Sequence, residues 1–247
     1  MLFDIDDTLV DTRAAFGRAL EAVAGRYLPD LGEDEHGQVL ATWRADRDGH
    51  YARYTRGEID YRSQRMARAN ALHAAFGGPV LDDTAYDAWD VLFEQGFSAA
   101  WSAHAEASQV VDDLTAAGFV VGALSNAAVA YQSSKLERVG LIDRVPMLVG
   151  VDTLGVGKPD PRVFREACRL LGTSPGRTAY VGDELDVDAV AAVRAGLVGI
   201  WVDRPGPRRV PVPQGAVTEA RRAGVHVIGS LGELPALLGQ VAQRPTA

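Results

Sequence analysis

Four aspartates, Asp4, Asp6, Asp7 and Asp11, fall within the opening MLFDIDDTLVD, directly after an apolar triplet that reads as the start of a strand. Side chains alternate along a strand, so Asp4 and Asp6 project to one side, at the carboxyl end where open α/β sheets bind their ligands. A second acidic group, GDELDVD, follows the apolar run TAYV and brings Asp183, Glu184, Asp186 and Asp188 to the same edge. Two carboxylates ~4 Å apart repel by roughly 4 kcal/mol at an effective dielectric near 20, and nothing local offsets that. A divalent cation reverses the sign, and an all-oxygen set without His or Cys favours Mg²⁺. For Asp11, Glu184 and Asp186 the simpler role is expected, solvation or capping of the next helix.

Two further residues complete the set. Ser125 ends the apolar run FVVGALS, where its hydroxyl and the N–H groups of the following turn suit a phosphate oxygen. Lys158, in GVGKPDP, lies between the apolar run MLVGV and a helix led by Pro161. Singly, Ser125 reads equally as a helix cap and Lys158 as an exposed lysine. With Asp4, Asp6 and Asp183 they become specific, because four strand ends each give one group to one edge. Only Lys135 and Lys158 among the 25 basic residues are lysines, which marks both for attention.

The elements that must position these groups have two textures. Between about residues 13 and 100 the periodicity is helical: Phe16, Leu20, Val23, Ala24, Tyr27 and Leu28 share a face, and RMARANALHAAFG, closed by Gly77 and Gly78, and YDAWDVLFEQGF continue the pattern. Beyond about residue 105 helices alternate with FVVGALS, MLVGV, TAYVG, LVGIWV and VHVI. Runs this continuously apolar are buried on both faces, as in a parallel sheet covered by helices. PRVFREACRLLG carries Pro161 at a first helical position and Gly172 past the end, and Ser230 with Glu233 forms a capping box before a last helix. DRPGPRRVPVPQGA, with four prolines, reads as a surface connection. The fold class expected is α/β, with a helical insertion of roughly ninety residues after the first strand, far beyond loop length.

Composition narrows the partners. The 247 residues are 47% hydrophobic and carry a net charge of −8, which disfavours nucleic-acid polymers and anionic membrane surfaces and favours small partners. The lone Cys168 excludes an intramolecular disulfide and a cysteine zinc cluster; it reads as a buried thiol. No signal-peptide pattern and no bilayer-length apolar run is present, so a cytoplasmic location is expected. A calcium loop starting at Asp4 fails, because Leu9 stands where glycine is needed and Ala15 where the bidentate Glu belongs. GVGKPD lacks the spacing and Ser/Thr of a P-loop.

Four motifs in order, DIDDT, LSN, GKPDP and GDELDVD, make the chain resemble the haloacid dehalogenase-like (HAD) superfamily from residue 1 to about residue 240, in the branch with an α-helical C1 cap after the first strand. The resemblance implies a Rossmann-like core over 1–12 and 101–247 and a cap over 13–100. It implies Asp4 as the nucleophile that forms an aspartyl-phosphate and Asp6 as the acid and then base. It further implies Mg²⁺ held by Asp4, the Asp6 carbonyl and Asp183, with Asp188 supporting, and Thr8, Ser125, Asn126 and Lys158 as phosphate-binding residues. The activity implied is a Mg²⁺-dependent phosphatase acting on a small phosphorylated metabolite. The alternatives on this fold are a 2-haloacid dehalogenase, which needs neither metal nor second acid, a phosphosugar mutase, and a non-catalytic binding protein free to lose Asp4 or Asp6. Only three residues precede Asp4, which implies a short first strand or a start further upstream. Position 7 is Asp where Gly is commoner, and Glu184 stands where a small Ser is frequent.

Between Arg44 and Arg68 seven arginines face four acids. They suit either attraction of anionic substrates or ion pairs on solvated helix faces, and Trp43, Tyr51 and Tyr54 suit either stacking on a ligand or the core.

Overall fold

The computed structural model describes residues 1–32, 35–206, 208 and 211–242. The chain divides into two compact units, Met1–Val10 with Ala103–Pro207 and Val212–Ala247, and Asp11–Ser102 with Arg208–Pro211. It enters the first unit through β1 (Leu2–Phe3) and then passes into the second. That second unit is helical: α1 (Thr12–Tyr27), α2 (His36–Ala45), α3 (His50–Thr55), α4 (Tyr61–Phe76) and α5 (Asp83–Ala99). Aspartates start three of these helices. Asp11, Asp60 and Asp82 accept from the N–H groups of Ala14, Ser63 and Ala85, each covering one of the donors a helix start leaves unpaired. Gly77 ends α4 in the left-handed conformation, φ 74°. Helices α1 and α5 approach closely, with the Phe16 and Phe97 ring centres 4.3 Å apart and tilted, and a Cβ on Gly96 would lie 3.0 Å from the Ala19 Cα.

Back in the first unit the order is α6 (Ala107–Ala116), β2 (Gly122–Leu124), α7 (Val129–Arg138), β3 (Leu148–Val149), α8 (Val151–Leu154), α9 (Pro161–Leu170) and β4 (Ala179–Gly182). Then come α10 (Ala191–Arg194), β5 (Val198–Val202), α11 (Ala216–Arg222), β6 (His226–Ile228) and α12 (Leu234–Ala242). The six strands form one sheet, all pairs parallel, in the order β3-β2-β1-β4-β5-β6. This is a Rossmann-like α/β fold with an all-helical insertion after its first strand, as the sequence predicts. Leu2, Leu124, Val149, Phe164, Tyr180 and Ala192 belong to one core cluster, and Leu185, Ala189, Trp201 and Val225 to another. Strand order reverses between β1 and β4, which sets the ligand crevice at their carboxyl ends.

Two elements are shorter than the sequence suggests. The ladder to β1 begins at Leu2 opposite Gly122, so Phe119 and Val120 stay outside the sheet, 38% and 56% exposed. The first strand ends at Phe3, and Asp4 and Asp6 therefore lie not on one strand but in the turn that follows it. The surface connection expected over 203–216 falls partly outside the described residues, at 207, 209 and 210. The capping box at the C-terminal helix forms, with Glu233 accepting from the Ser230 N–H at 3.1 Å.

Candidate active site

The turn after β1 is fixed by its own backbone. The Asp4 N–H donates to the Val181 carbonyl at 2.8 Å, locking this residue beside β4. The Asp7 N–H donates to Val10, and the Leu9 and Val10 N–H groups converge on the Ile5 carbonyl. Asp7 closes the turn at φ 57°, a left-handed conformation that glycine adopts freely and Asp tolerates better than most residues. That is the physical reason why either residue suits position 7.

Asp4 is buried, and its Oδ1 accepts from the Lys158 Nζ at 2.6 Å. Lys158 spends its other donors on the Tyr180 hydroxyl and on Asp188 Oδ1, each at 2.7 Å. Tyr180 in turn donates to the Leu124 carbonyl at 3.1 Å. Asn126 clasps the Lys158 backbone from both sides, its Oδ1 accepting from the Lys158 N–H at 2.6 Å and its Nδ2 donating to the Lys158 carbonyl at 3.0 Å. Its amide thus places the lysine. The peptide bond from Lys158 to Pro159 is cis.

Asp188 is carried by a π-helical turn, Leu185–Val190, whose other role is to return the chain towards β4. Its Oδ2 accepts from the Glu184 N–H at 3.0 Å. The close return requires Gly182, because a Cβ there would lie 2.3 Å from Asp188 Oδ2. Asp183, half-buried, receives no donor on its carboxylate among the described residues. One carboxylate oxygen from each of Asp4, Asp183 and Asp188 lies within 4.8 Å of the others.

The electrostatics follow from that crowding. Burial pushes Asp4 up to about 8, with Lys158 pulling the other way and Asp188 and Asp6 adding to the rise. Withdrawal from water, then the charges of Asp7, Glu184, Asp188 and Asp4, holds Asp183 well above the usual carboxylate range. Burial works to lower the Lys158 ammonium, but Asp188 and Asp4 outweigh it and hold it well above the ordinary lysine range. An oxygen-only cluster in which Asp4 and Asp183 resist ionisation without a counter-charge, Asp183 lacking a carboxylate donor among the described residues, fits a hard divalent cation.

Around this centre stand the remaining predicted residues. Ser125 is buried one residue past β2, and its Oγ accepts from the Ala127 N–H at 3.3 Å. Thr8 is fully buried, its Oγ1 makes no hydrogen bond among the described residues, and its carbonyl accepts from Arg204 at 3.1 Å. Asp6 is reached by two side chains for which sequence reasoning assigned no role, Lys135 and Gln132 of α7. Tyr180 also went unassigned, because within TAYV it reads as core. Asp11 caps α1, as expected. Among the described residues of the helical unit, Arg53 and Arg56 pair with Glu58, Arg62 with Asp83, Arg65 with Asp90 and Arg68 with Asp46. Trp43 and Tyr54 are core residues there.

With this architecture in view, the family model for haloacid dehalogenase-like hydrolases matches residues 1–196, and the chain belongs to that family. It is 26% identical over 244 residues to the ribulose-1,5-bisphosphate 5-phosphatase of Halopiger xanaduensis, which covers 96% of this chain and 98% of that one. It is 40% identical over 87 residues to the glyceraldehyde 3-phosphate phosphatase of Methanopyrus kandleri, a match spanning 35% of this chain and only 37% of that protein. Proteins named (S)-2-haloacid dehalogenases are relatives as well. In fold the chain is similar to the HAD-hydrolase YfnB of Bacillus subtilis bound to magnesium, with TM-score 0.74, 21% identity and coverage of 96% and 97%. Among the described residues no helix is long and apolar enough to cross a membrane.

Proposed function

We propose that the protein is a Mg²⁺-dependent phosphatase that hydrolyses a small phosphorylated metabolite through an aspartyl-phosphate on Asp4. The observation that carries this reading is the Asp4–Lys158–Asp188 chain, at 2.6 and 2.7 Å, set beside the donor-free Asp183. Asp4 and Asp183 through their carboxylates and Asp6 through its carbonyl would hold the metal, with Asp188 supporting through Lys158. Bound there, the cation supplies charge that offsets repulsion between the attacking carboxylate and the phosphate dianion.

The chain's own residues do the rest. Lys158 and Ser125 grip the phosphate oxygens and add to the charge balance, Asn126 fixes Lys158, and the Asp4 carboxylate attacks phosphorus. Thr8 steadies the nucleophile turn. Asp6 gives a proton to the leaving alcohol and later takes one from the attacking water. A dehalogenase would have no use for Asp6 or for the acidic cluster, so the residues favour phosphate over halide. We assign 1–12 and 101–247 to the catalytic core and 13–100 to the helical cap, and place the enzyme in the cytoplasm, a reading supported by the lone buried Cys168.

The test is hydrolysis of p-nitrophenyl phosphate with added Mg²⁺. Turnover should stop with EDTA and fall by roughly 10³-fold or more in Asp4→Asn. Undiminished turnover in Asp4→Asn removes the nucleophile, and chloride release from a 2-haloacid in EDTA hands the site to the dehalogenase.

A further inference from the structure

The chain's two lysines are both buried, each against one of the first two aspartates of the DIDDT motif: Lys158 against Asp4 and Lys135 against Asp6. Sinking an ammonium into a fold costs several kcal/mol unless a partner offsets it, so the position of Lys135 asks for a reason. Its side chain is 1% exposed, whereas that of Asp6 is 39% exposed. The donor lies inside the fold and the carboxylate it holds stays open to solvent. The Lys135 Nζ donates to Asp6 Oδ1 and also lies 5.3 Å from the Tyr131 ring.

Gln132, three residues earlier on the same face of α7, is fully buried. Its Nε2 donates to Asp6 Oδ2 at 2.8 Å and to the Ser125 Oγ at 2.7 Å, while its Oε1 makes no hydrogen bond among the described residues. Each oxygen of Asp6 therefore has one buried donor, and one amide ties Asp6 to Ser125. A half-exposed aspartate with no such hold would exchange among staggered rotamers.

We propose that Lys135 and Gln132 are positioning residues that hold the Asp6 carboxyl at the place where protons are exchanged with the leaving group and water, and set it in register with Ser125. The inference rests on the phosphatase reading above. In the first step the bond from Asp4 Oδ to phosphorus forms, the bond from phosphorus to the ester oxygen breaks, and the Asp6 proton passes to that oxygen, leaving an alcohol. In the second, water attacks phosphorus, its proton goes to Asp6, and the bond from Asp4 to phosphorus breaks to release phosphate. A carboxyl misplaced by 1 Å slows both steps.

The experiment compares kcat/KM for phenyl phosphate, whose leaving group needs a proton, with that for p-nitrophenyl phosphate, whose leaving group does not. In Lys135→Met the phenyl ester should lose about 30-fold more than the p-nitrophenyl ester, a part of the roughly 10²–10⁴-fold that general acid catalysis contributes, and Lys135→Arg should recover most of the difference. Gln132→Leu should show the same selective loss with a raised KM. Crystals of Lys135→Met should show the Asp6 side chain in a different rotamer. Equal losses on both esters, or an Asp6 unmoved in Lys135→Met, overturn the inference. A wild-type protein inert on both esters sinks the phosphatase reading instead, and the Asp6 rotamer in Lys135→Met still decides the positioning.

Discussion

At Gly182 a single hydrogen atom decides whether Lys158, the partner of Asp4, keeps its contact with Asp188. The Asp188 carboxyl reaches Lys158 only because no Cβ stands in its way, so Gly182→Ala should push Asp188 aside and leave Lys158 with one anionic partner fewer. We expect a stability loss of about 1–3 kcal/mol in denaturant titration, the usual cost of overpacking, and a larger proportional loss of turnover than of stability. Asp4 and Asp183 offer a second measurement. Burial raises both acids, Asp4 to about 8, so below that value the site holds protons that a divalent cation binding there would displace. Calorimetric titration in buffers of different ionisation heat should therefore find protons released on Mg²⁺ binding at about pH 7. It should find fewer at about pH 9, with affinity rising as the pH rises. Proton release that does not change with pH would remove the raised carboxyls from the metal site. That Asp4, Asp183 and Asp188 meet was legible in the sequence, because DIDDT and GDELDVD follow strands. The reason for Gly182 and the service of Tyr180 to Lys158 were not, since both depend on a return of the chain that apolar patterning does not encode.

Among the elements, α4 and α5 show how the helical unit stabilises itself without a sheet. His73 on α4 is buried, its Nδ1 faces the Pro79 carbonyl at 2.7 Å, and its Nε2 accepts from the Trp89 indole of α5 at 3.1 Å. That pattern fits the neutral ring with its proton on Nδ1. Burial lowers the His73 pKa below 6.5, with the Pro79 carbonyl working against it. The unfolded chain therefore binds a proton in a window just below 6.5 that the folded chain refuses. Stability from this residue is complete above 6.5 and drains away as pH falls towards the lowered value. Melting curves between about pH 5 and 7.5 should show that slope in the wild type and a flatter one in His73→Gln. An equal slope in both would mean other groups carry it. The helical periodicity and the terminal Gly77 made α4 and α5 readable. α7 was harder: Gln132 and Lys135 are polar residues on a buried face, and polarity at that spacing ordinarily marks a solvated one. The rarity of lysine in the chain was the one available signal. Strand lengths were overestimated for a similar reason, since Phe119 and Val120 are as apolar as β2 yet lie outside its ladder, the Val120 carbonyl meeting the Met1 ammonium at 2.7 Å instead.

For the molecule as a whole, the alternation of helices with doubly buried strands was enough to give a parallel sheet, but not its order, which depends on pairings between distant segments. Cys168 samples that sheet's interior, 1% exposed in a cluster with Leu2, Phe164 and Tyr180, and burial raises its thiol further from reactivity. A thiol reagent should label the native protein only at the rate at which this core opens, and label the denatured chain quickly to one equivalent. Fast labelling without unfolding would contradict a closed core. The two-residue β1 carries the longest reach of all. It lies at the centre of the sheet, Leu2 opposite both Gly122 and Tyr180. The proposed nucleophile beside it therefore depends on strands that follow it by more than a hundred residues along the chain. Contacts so remote are formed slowly. Catalytic competence should be the last property a newborn chain acquires, and during refolding the Asp4 amide should gain protection from hydrogen exchange only together with the Val181 carbonyl's strand.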